Sequence, residues 1–439
     1  MSVEAAPPVV PNLPPASEVP GIRRIGRNTF ETLLFRGLST PVGLLLVVVQ
    51  SRFLHPSGRG AFVLAVLSVT ILSRLLGQLG AGVVNRLKEK DVEVRGLVHR
   101  ALGLALALSP LGALVILAWA QVTADVGITL AALAAAALLP NVVWQTLSGV
   151  LLGLARVRLW NVVQLLPPLL TLAGMLILVV WLDRGVRGAV LAWGLAHLLT
   201  AAFALAATRE LWLPLAPLSI SDAAARAIVR LALVMGAVQV VNLFSYRVEL
   251  YILRAYEGLS AVGVYSIAMQ AAESMWLVAA AVATAVTAPV VHDTEERAAR
   301  LIARASGRGL LMTAGVAIPV GLAAPLLVPL IFGAGFSGAA VPLALLLPGV
   351  VAYAPVSILV VYLSIRRERP RLSLAVSVVA MIVTTALALI LVPRYGVSGA
   401  GVASSIGYLA GAACAWGAFV RLAGRTWLGR RPRIAAAMR

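Results

Sequence analysis

The sequence predicts an all-α polytopic membrane protein of about twelve transmembrane helices, arranged as two six-helix parallel-repeat lobes around a central cavity. Three observations predict it. Of 439 residues, 61% are hydrophobic and only 12% charged, whereas a soluble domain carries about 25% charged residues; the mean hydropathy is +0.97. Runs of roughly 20 apolar residues, enough to cross a bilayer core of about 30 Å, recur along the whole chain. Two glycine-studded stretches also match: "WLDRGVRGAVLAWGLAHLLTA" at Trp181–Ala201 and "LVPRYGVSGAGVASSIGYLAGA" at Leu391–Ala412. Gly185, Val186, Gly188, Ala189 and Ala192 recur 211 residues later as Gly396, Val397, Gly399, Ala400 and Ala403.

In chain order, residues 1–27 read as a disordered, Pro-rich cytoplasmic tail ("APPVVPNLPP"). The first apolar segment is long and lacks a small-residue cleavage site, so it reads as a retained span. Residues 28–208 form the first lobe, with spans near 29–53, 60–83, 97–119, 127–154, 160–182 and 187–208. An inter-lobe linker follows at 209–227. The second lobe, 228–422, has spans near 228–253, 261–290, 308–332, 339–364, 371–393 and 397–420, and a basic tail closes the chain at 423–439.

Charge supports that count. With twelve spans, 27 of the 36 basic residues fall at one membrane face, six at the other (Arg52, Arg59, Arg184, Arg187, Arg254, Arg394) and three inside spans. An excess of Arg and Lys marks cytoplasmic loops, so both termini are expected in the cytoplasm. The formal charge of +19 thereby reads as a topology signal, not as a nucleic-acid surface. A single cysteine, Cys414, excludes an intramolecular disulfide, and the four histidines form no metal-binding pattern.

The repeat runs beyond the glycine turns. Arg156 and Arg158 fall on Arg367 and Arg369 at the same offset of 211, and "GAFVLA" at Gly60–Ala65 resembles "GVYSIA" at Gly263–Ala268 at an offset of 203. Six spans per half place the halves the same way up, related by an axis along the membrane normal, with a site between them.

Ionisable groups inside a bilayer are expensive and mark function. They concentrate in repeat-related spans: Arg36 in span 1, Arg74 in span 2, Arg247 and Glu249 in span 7, and Glu273 in span 8. Polar residues at helical spacing accompany them, including Gln78 in span 2, Gln239 and Asn242 in span 7, and Gln270 in span 8. These nine side chains are the predicted cavity lining. Arg36 and Arg74 lie at similar depth, roughly 10–14 Å from the cytoplasmic end at 1.5 Å per residue. His197 and a stripe of Asn141, Gln145 and Ser148 in span 4 read as helix packing. No catalytic motif is evident, and no loop is long enough for a soluble catalytic domain; an enzyme is not expected.

The motifs "VGVYSIAMQAAESMWLVAAAVATAVTAPVV" at 262–291, "LVPRYGVSGAGVASSIGYLAGA" at 391–412 and "SRFLHPSGRGAFVLA" at 51–65 resemble the polysaccharide flippases of the multidrug/oligosaccharidyl-lipid/polysaccharide exporter superfamily. The resemblance covers nearly all of the chain after residue 28. It implies two six-helix lobes around a V-shaped cavity lined by spans 1, 2, 7 and 8. It also implies alternating access that carries an undecaprenyl-diphosphate-linked oligosaccharide from the inner to the outer leaflet for cell-surface polysaccharide synthesis. No cofactor is implied beyond a coupling ion, H+ or Na+. The expected partners are the lipid-linked glycan, the bilayer and glycan polymerase or assembly proteins. The sequence departs from the family pattern in two ways. It lacks the extra helices after span 12 of the lipid II flippases, and in span 1, where multidrug exporters usually carry a cation-binding carboxylate, it has Arg36 and only Glu31 at the cytosolic edge. An organic-cation exporter and a polytopic glycan polymerase or ligase are the alternatives.

The topology is checked with reporter fusions. Loops 86–96, 156–158, 209–226, 292–306 and 366–370 are expected to report as cytoplasmic; an external signal from 292–306 would overturn the twelve-span arrangement.

Overall fold

The computed structural model describes residues 22–87, 93–119, 126–214, 222–424 and 427, with backbone alone for residues 22–30, Leu33, Arg36 and Ala288. The Pro-rich residues 1–21 and most of the basic tail lie outside the described residues. What is described is helical. Ten continuous helical runs are long and apolar enough to cross a membrane, but three of them turn back on themselves. The helix Ile22–Leu76 breaks at His55 (φ 56°, ψ 172°), Val248–Ser274 at Gly258 (φ 85°, ψ −176°) and Pro370–Ala423 at Gly396 (φ 54°, ψ −131°). Residues nine apart meet across the first break, where Arg59 hydrogen-bonds Gln50 at 2.7 Å; along a straight helix they would be about 13 Å apart. Arg247 and Glu273 meet across the second. A Cβ at Gly411 would touch Ala380 across the third.

The ten runs thus hold twelve crossings among the described residues. Spans 1 and 2 are 22–54 and 56–86. Spans 3 to 6 are Val94–Trp119, Ile128–Gly153, Val157–Trp181 and Gly185–Ala207. Spans 7 and 8 are 223–257 and 259–292, spans 9 and 10 are Glu295–Phe332 and Ala334–Arg366, and spans 11 and 12 are 370–395 and 397–423. The odd-to-even turns, including 55, 258 and 396, share one end of the helix bundle, here the turn end; the first and last described helical residues, 22 and 423, lie at the other, here the termini end.

The glycine turns have a common cause in the two halves. Gly185 (φ 52°) and Gly396 (φ 54°) both occupy the left-handed region that L side chains avoid. Three residues on, Gly188 and Gly399 pack on the carbonyls of Leu178 and Leu391 in the preceding span, so a Cβ at either would prise the hairpin open. The repeat does not keep one register upstream, however. Arg156 caps span 5 after Ala155 (φ 56°), and Arg369 caps span 11 after Glu368 (φ 51°). Arg156 therefore corresponds to Arg369, at an offset of 213, and not to Arg367. The two extra residues are absorbed where Leu182–Arg184 leave the helix after the π-helical Leu176–Trp181, whereas span 11 stays helical to the residue before Gly396.

The lobes close on each other at the turn end. Gly60 packs on the Leu259 carbonyl and Gly263 on the Pro56 carbonyl. Both partners differ by 203, so spans 2 and 8 cross through one contact made twice. Arg52, at the end of span 1, donates to the Leu330 and Ile331 carbonyls at the end of span 9, where unpaired helix carbonyls favour a cation. Toward the termini end, spans 2 and 7 stay together, with Gly82 against Ile228 and Gly236 against Leu75. The matching half of span 8 packs instead on spans 9 and 10 of its own lobe, leaving Leu277, Ala281 and Thr284 exposed.

Replacing Gly60 or Gly263 by leucine is expected to cost about 1–3 kcal/mol through overpacking and to loosen the turn end. The check is thiol labelling of Val262→Cys, at a fully buried position, in a Cys414→Ser background. Labelling as slow in the glycine variants as in the parent would show that the crossing does not hold this end shut.

Candidate functional site

A cavity of about 870 Å³ opens inside the N-terminal lobe, lined by spans 2, 4, 5 and 6 with the edge of span 7. It runs from Asn85, near the termini end, to Thr70, about 22 Å along span 2 at helical rise. Span 2 supplies Ser73, Arg74, Gln78 and Asn85; span 4 supplies Asn141, Trp144, Gln145 and Ser148. Trp160 and Gln164 come from span 5, Trp193 and His197 from span 6, and Gln239 from span 7. Among the described residues the lining carries a single arginine and no carboxylate.

Arg74 is exposed to this cavity and makes no hydrogen bond or ion pair with a described residue. A guanidinium with no described partner keeps its donors free, and its planar fork has the geometry to bond phosphate oxygens. Residues 25–295, more than half of the chain, match the family described as polysaccharide biosynthesis protein.

The chain belongs to the polysaccharide biosynthesis protein family.

Its fold is that of solved transporters over nine-tenths of its length. The lipid II flippase MurJ in an inward closed conformation aligns with TM-score 0.75 and 14% identity, covering 90% of each chain. An inward-facing multidrug resistance MATE family transporter of the MOP superfamily aligns with TM-score 0.73 and 17% identity, over 90% of this chain and 96% of that one. A MOP superfamily transporter from Pyrococcus furiosus gives TM-score 0.62 and 16% identity, over 92% and 96%. No curated protein matches by sequence. The resemblance drawn from the motifs, and the helical transporter fold it implied, are thereby borne out.

In this polysaccharide biosynthesis protein the nine predicted residues do not share one wall. Arg74, Gln78 and Gln239 line the cavity. The Arg36 side chain lies outside the described residues. Asn242 is half-buried on span 7, and its carbonyl accepts from Ser245 at 2.7 Å. Arg247 and Glu273 form a two-pronged ion pair, with Nη1 to Oε1 at 2.7 Å and Nη2 to Oε2 at 2.8 Å, so these two charges cancel. Glu249 is fully buried off the cavity, where Tyr265 donates to it at 3.4 Å and bonds Ser404 at 2.9 Å. The cause is a break at Ser245–Arg247, which ends the helical phase that carries Gln239 and restarts it before Glu249. Gln270 is engaged elsewhere, by Arg59.

Arg59 corrects a loop assignment. It is only 1% exposed, one turn inside span 2, and donates to Gln50 at 2.7 Å, Ser266 at 2.9 Å and Gln270 at 3.0 Å. It therefore ties spans 1 and 2 to span 8 beneath the glycine crossing. His197, Asn141, Gln145 and Ser148 do make packing contacts, His197 with Trp193, Gln145 with Asn141 and Ser148 with Gln164, and all four also line the cavity, which the packing reading did not anticipate. The three tryptophans had no sequence signal, because apolar periodicity does not reveal which faces are held apart.

The ion pair has a measurable signature. Arg247→Ala is expected to cost about 3 kcal/mol by leaving Glu273 uncompensated in a largely buried site, and Arg247→Ala with Glu273→Ala should regain most of that loss. Chemical unfolding in detergent checks it; additive losses would show that the two charges do not depend on each other.

Proposed function

We propose that this protein is an alternating-access flippase that moves an isoprenoid-diphosphate-linked oligosaccharide from the inner to the outer leaflet for cell-surface polysaccharide synthesis. The observation that carries the reading is Arg74, a cation with no partner among the described residues, on a polar cavity wall whose described residues include no carboxylate. Such a wall attracts a diphosphate and disfavours an organic cation, so the multidrug-exporter alternative is the weaker one. Family membership places the chain in polysaccharide synthesis, and MurJ, with a similar fold, is named a lipid II flippase.

In the proposed cycle the headgroup enters from the cytoplasmic, termini end while the turn end stays shut. Arg74, joined by Arg36 on the neighbouring helix, binds phosphate oxygens. The isoprenoid remains in lipid beside the exposed half of span 8. Release outside requires the span 2–span 8 crossing to part and the termini end to close. A proton or sodium gradient drives the cycle in this proposal, with Glu273, an in-span carboxylate paired with Arg247 in this structure, the group that exchanges partners.

Arg74→Ala is expected to lower flipping at least tenfold in protein inserted at normal levels. Arg74→Lys, which keeps the charge and loses the fork, should retain partial activity. The measurement is appearance of the lipid-linked glycan in the outer leaflet, or of surface polysaccharide in cells. Full activity of Arg36→Ala with Arg74→Ala would remove the diphosphate site from this hairpin.

A further inference from the structure

The N-lobe cavity has more in it than an anion site needs. Trp144, Trp160 and Trp193 line it from three different spans. His197 sits against Trp193, with ring centroids 4.3 Å apart, and near Trp144 at 6.0 Å. Its Nδ1 lies 2.8 Å from the Trp193 carbonyl; a carbonyl only accepts, so Nδ1 carries the proton and neutral Nε2 is left as an acceptor. Gln145 donates to Asn141 within the same wall, which fixes both amides and leaves each with unused hydrogen-bonding capacity.

The repeat makes this hollow informative. The residue 211 positions after His197 is Tyr408, and in the second lobe it is packed shut. Tyr408 lies 5.4 Å from both Trp276 and Tyr353, ring centroid to centroid, and is 1% exposed. In that lobe the aromatic rings fill the space between helices; in the first they surround space. The open volume of about 870 Å³ falls in the range of about 300–1,000 Å³ typical of pockets that enclose organic ligands.

The wall chemistry selects the ligand. An organic cation would need a carboxylate, and none is present among the described lining residues. A purely hydrophobic ligand would leave the amides and imidazole unpaired at a cost. A sugar ring satisfies both kinds of wall: its axial C–H face packs on indole, and its equatorial hydroxyls pair with amides and imidazole. We propose that this cavity is a carbohydrate subsite. It stacks the sugar rings nearest the diphosphate against Trp144 and Trp160, while Asn141, Gln145 and His197 Nε2 bond their hydroxyls. Arg74, on the same cavity wall, sets the junction between phosphate and first sugar. The inference rests on the flippase reading and adds that the glycan is gripped within the first lobe.

The test uses the full chain in lipid nanodiscs and four probes: bare undecaprenyl diphosphate, and the same lipid carrying glucose, galactose or N-acetylglucosamine. At least one sugar-bearing probe is expected to bind about tenfold tighter than the bare diphosphate. Trp144→Leu and Gln145→Leu should remove that gain while changing bare-diphosphate binding less than twofold, and Trp144→Phe should keep most of it. Sugar-bearing probes that bind no tighter than the bare lipid would overturn the subsite and leave the flippase reading standing. Equal weakening of all four probes in Trp144→Leu would overturn it too, by showing a merely structural role. Bare diphosphate that fails to bind, or binds Arg74→Ala as well as the parent, overturns both readings.

Discussion

The contact on which the rest of the structure depends is the crossing of spans 2 and 8, where Gly60 and Gly263 each lie on the other helix's backbone carbonyl. No larger residue fits there, because carbonyl oxygens cannot yield as a flexible side chain can. Lipid chains are as apolar as leucine, so burial of apolar surface does little to join two membrane helices; close backbone approach does more. With the turn end fixed in this way, Arg59 is enclosed, Arg52 reaches the end of span 9, and the other ends of the lobes are free to diverge. A single pair of glycines thus sets where the molecule is shut.

The asymmetry between the lobes follows from what fills each one. Both descend from one pattern, visible in the matching turns at Gly185 and Gly396. Yet the Trp276, Tyr353 and Tyr408 rings consolidate the second lobe, while tryptophans at comparable depth in the first stand around a void. Charge is divided likewise. The second lobe neutralises Arg247 with Glu273 and encloses Glu249 beside Tyr265, whereas Arg74 in the first is left open to the cavity. A substrate held there sits off the axis that relates the halves.

Much of this was legible in the sequence. Run lengths gave the crossings, the 27-to-6 division of basic residues gave their order, and the glycine repeats located the hairpin turns. Arg74, Gln78 and Gln239 reach the cavity as expected because the interruption of span 2 at Gly77–Gln78 is only a two-residue turn and span 7 keeps its helical face up to Ser245. Glu249 was misplaced because a three-residue break has no signature in an apolar helix. Arg59 was taken for a loop residue because Pro56, Ser57 and Gly58 just before it are turn formers; its partners Ser266 and Gln270 are 207 and 211 residues distant. His197 and Asn141 were recognised as unusual, but periodicity says which face a residue occupies and not whether that face meets protein or empty space.

Arg59 also bears on how readily the shut end can open. All three of its partners, Gln50, Ser266 and Gln270, are neutral, so a full positive charge is kept dry by hydrogen bonds alone. Withdrawing such a charge from water costs several kcal/mol, and parting the lobes returns water to it just as those hydrogen bonds are lost. The two changes oppose each other, which keeps the closed state shallow and not locked. In the proposed cycle water would be a participant, taken up by the guanidinium when this end opens and expelled when it closes. The balance between the two states accordingly shifts with the activity of water as well as with the substrate.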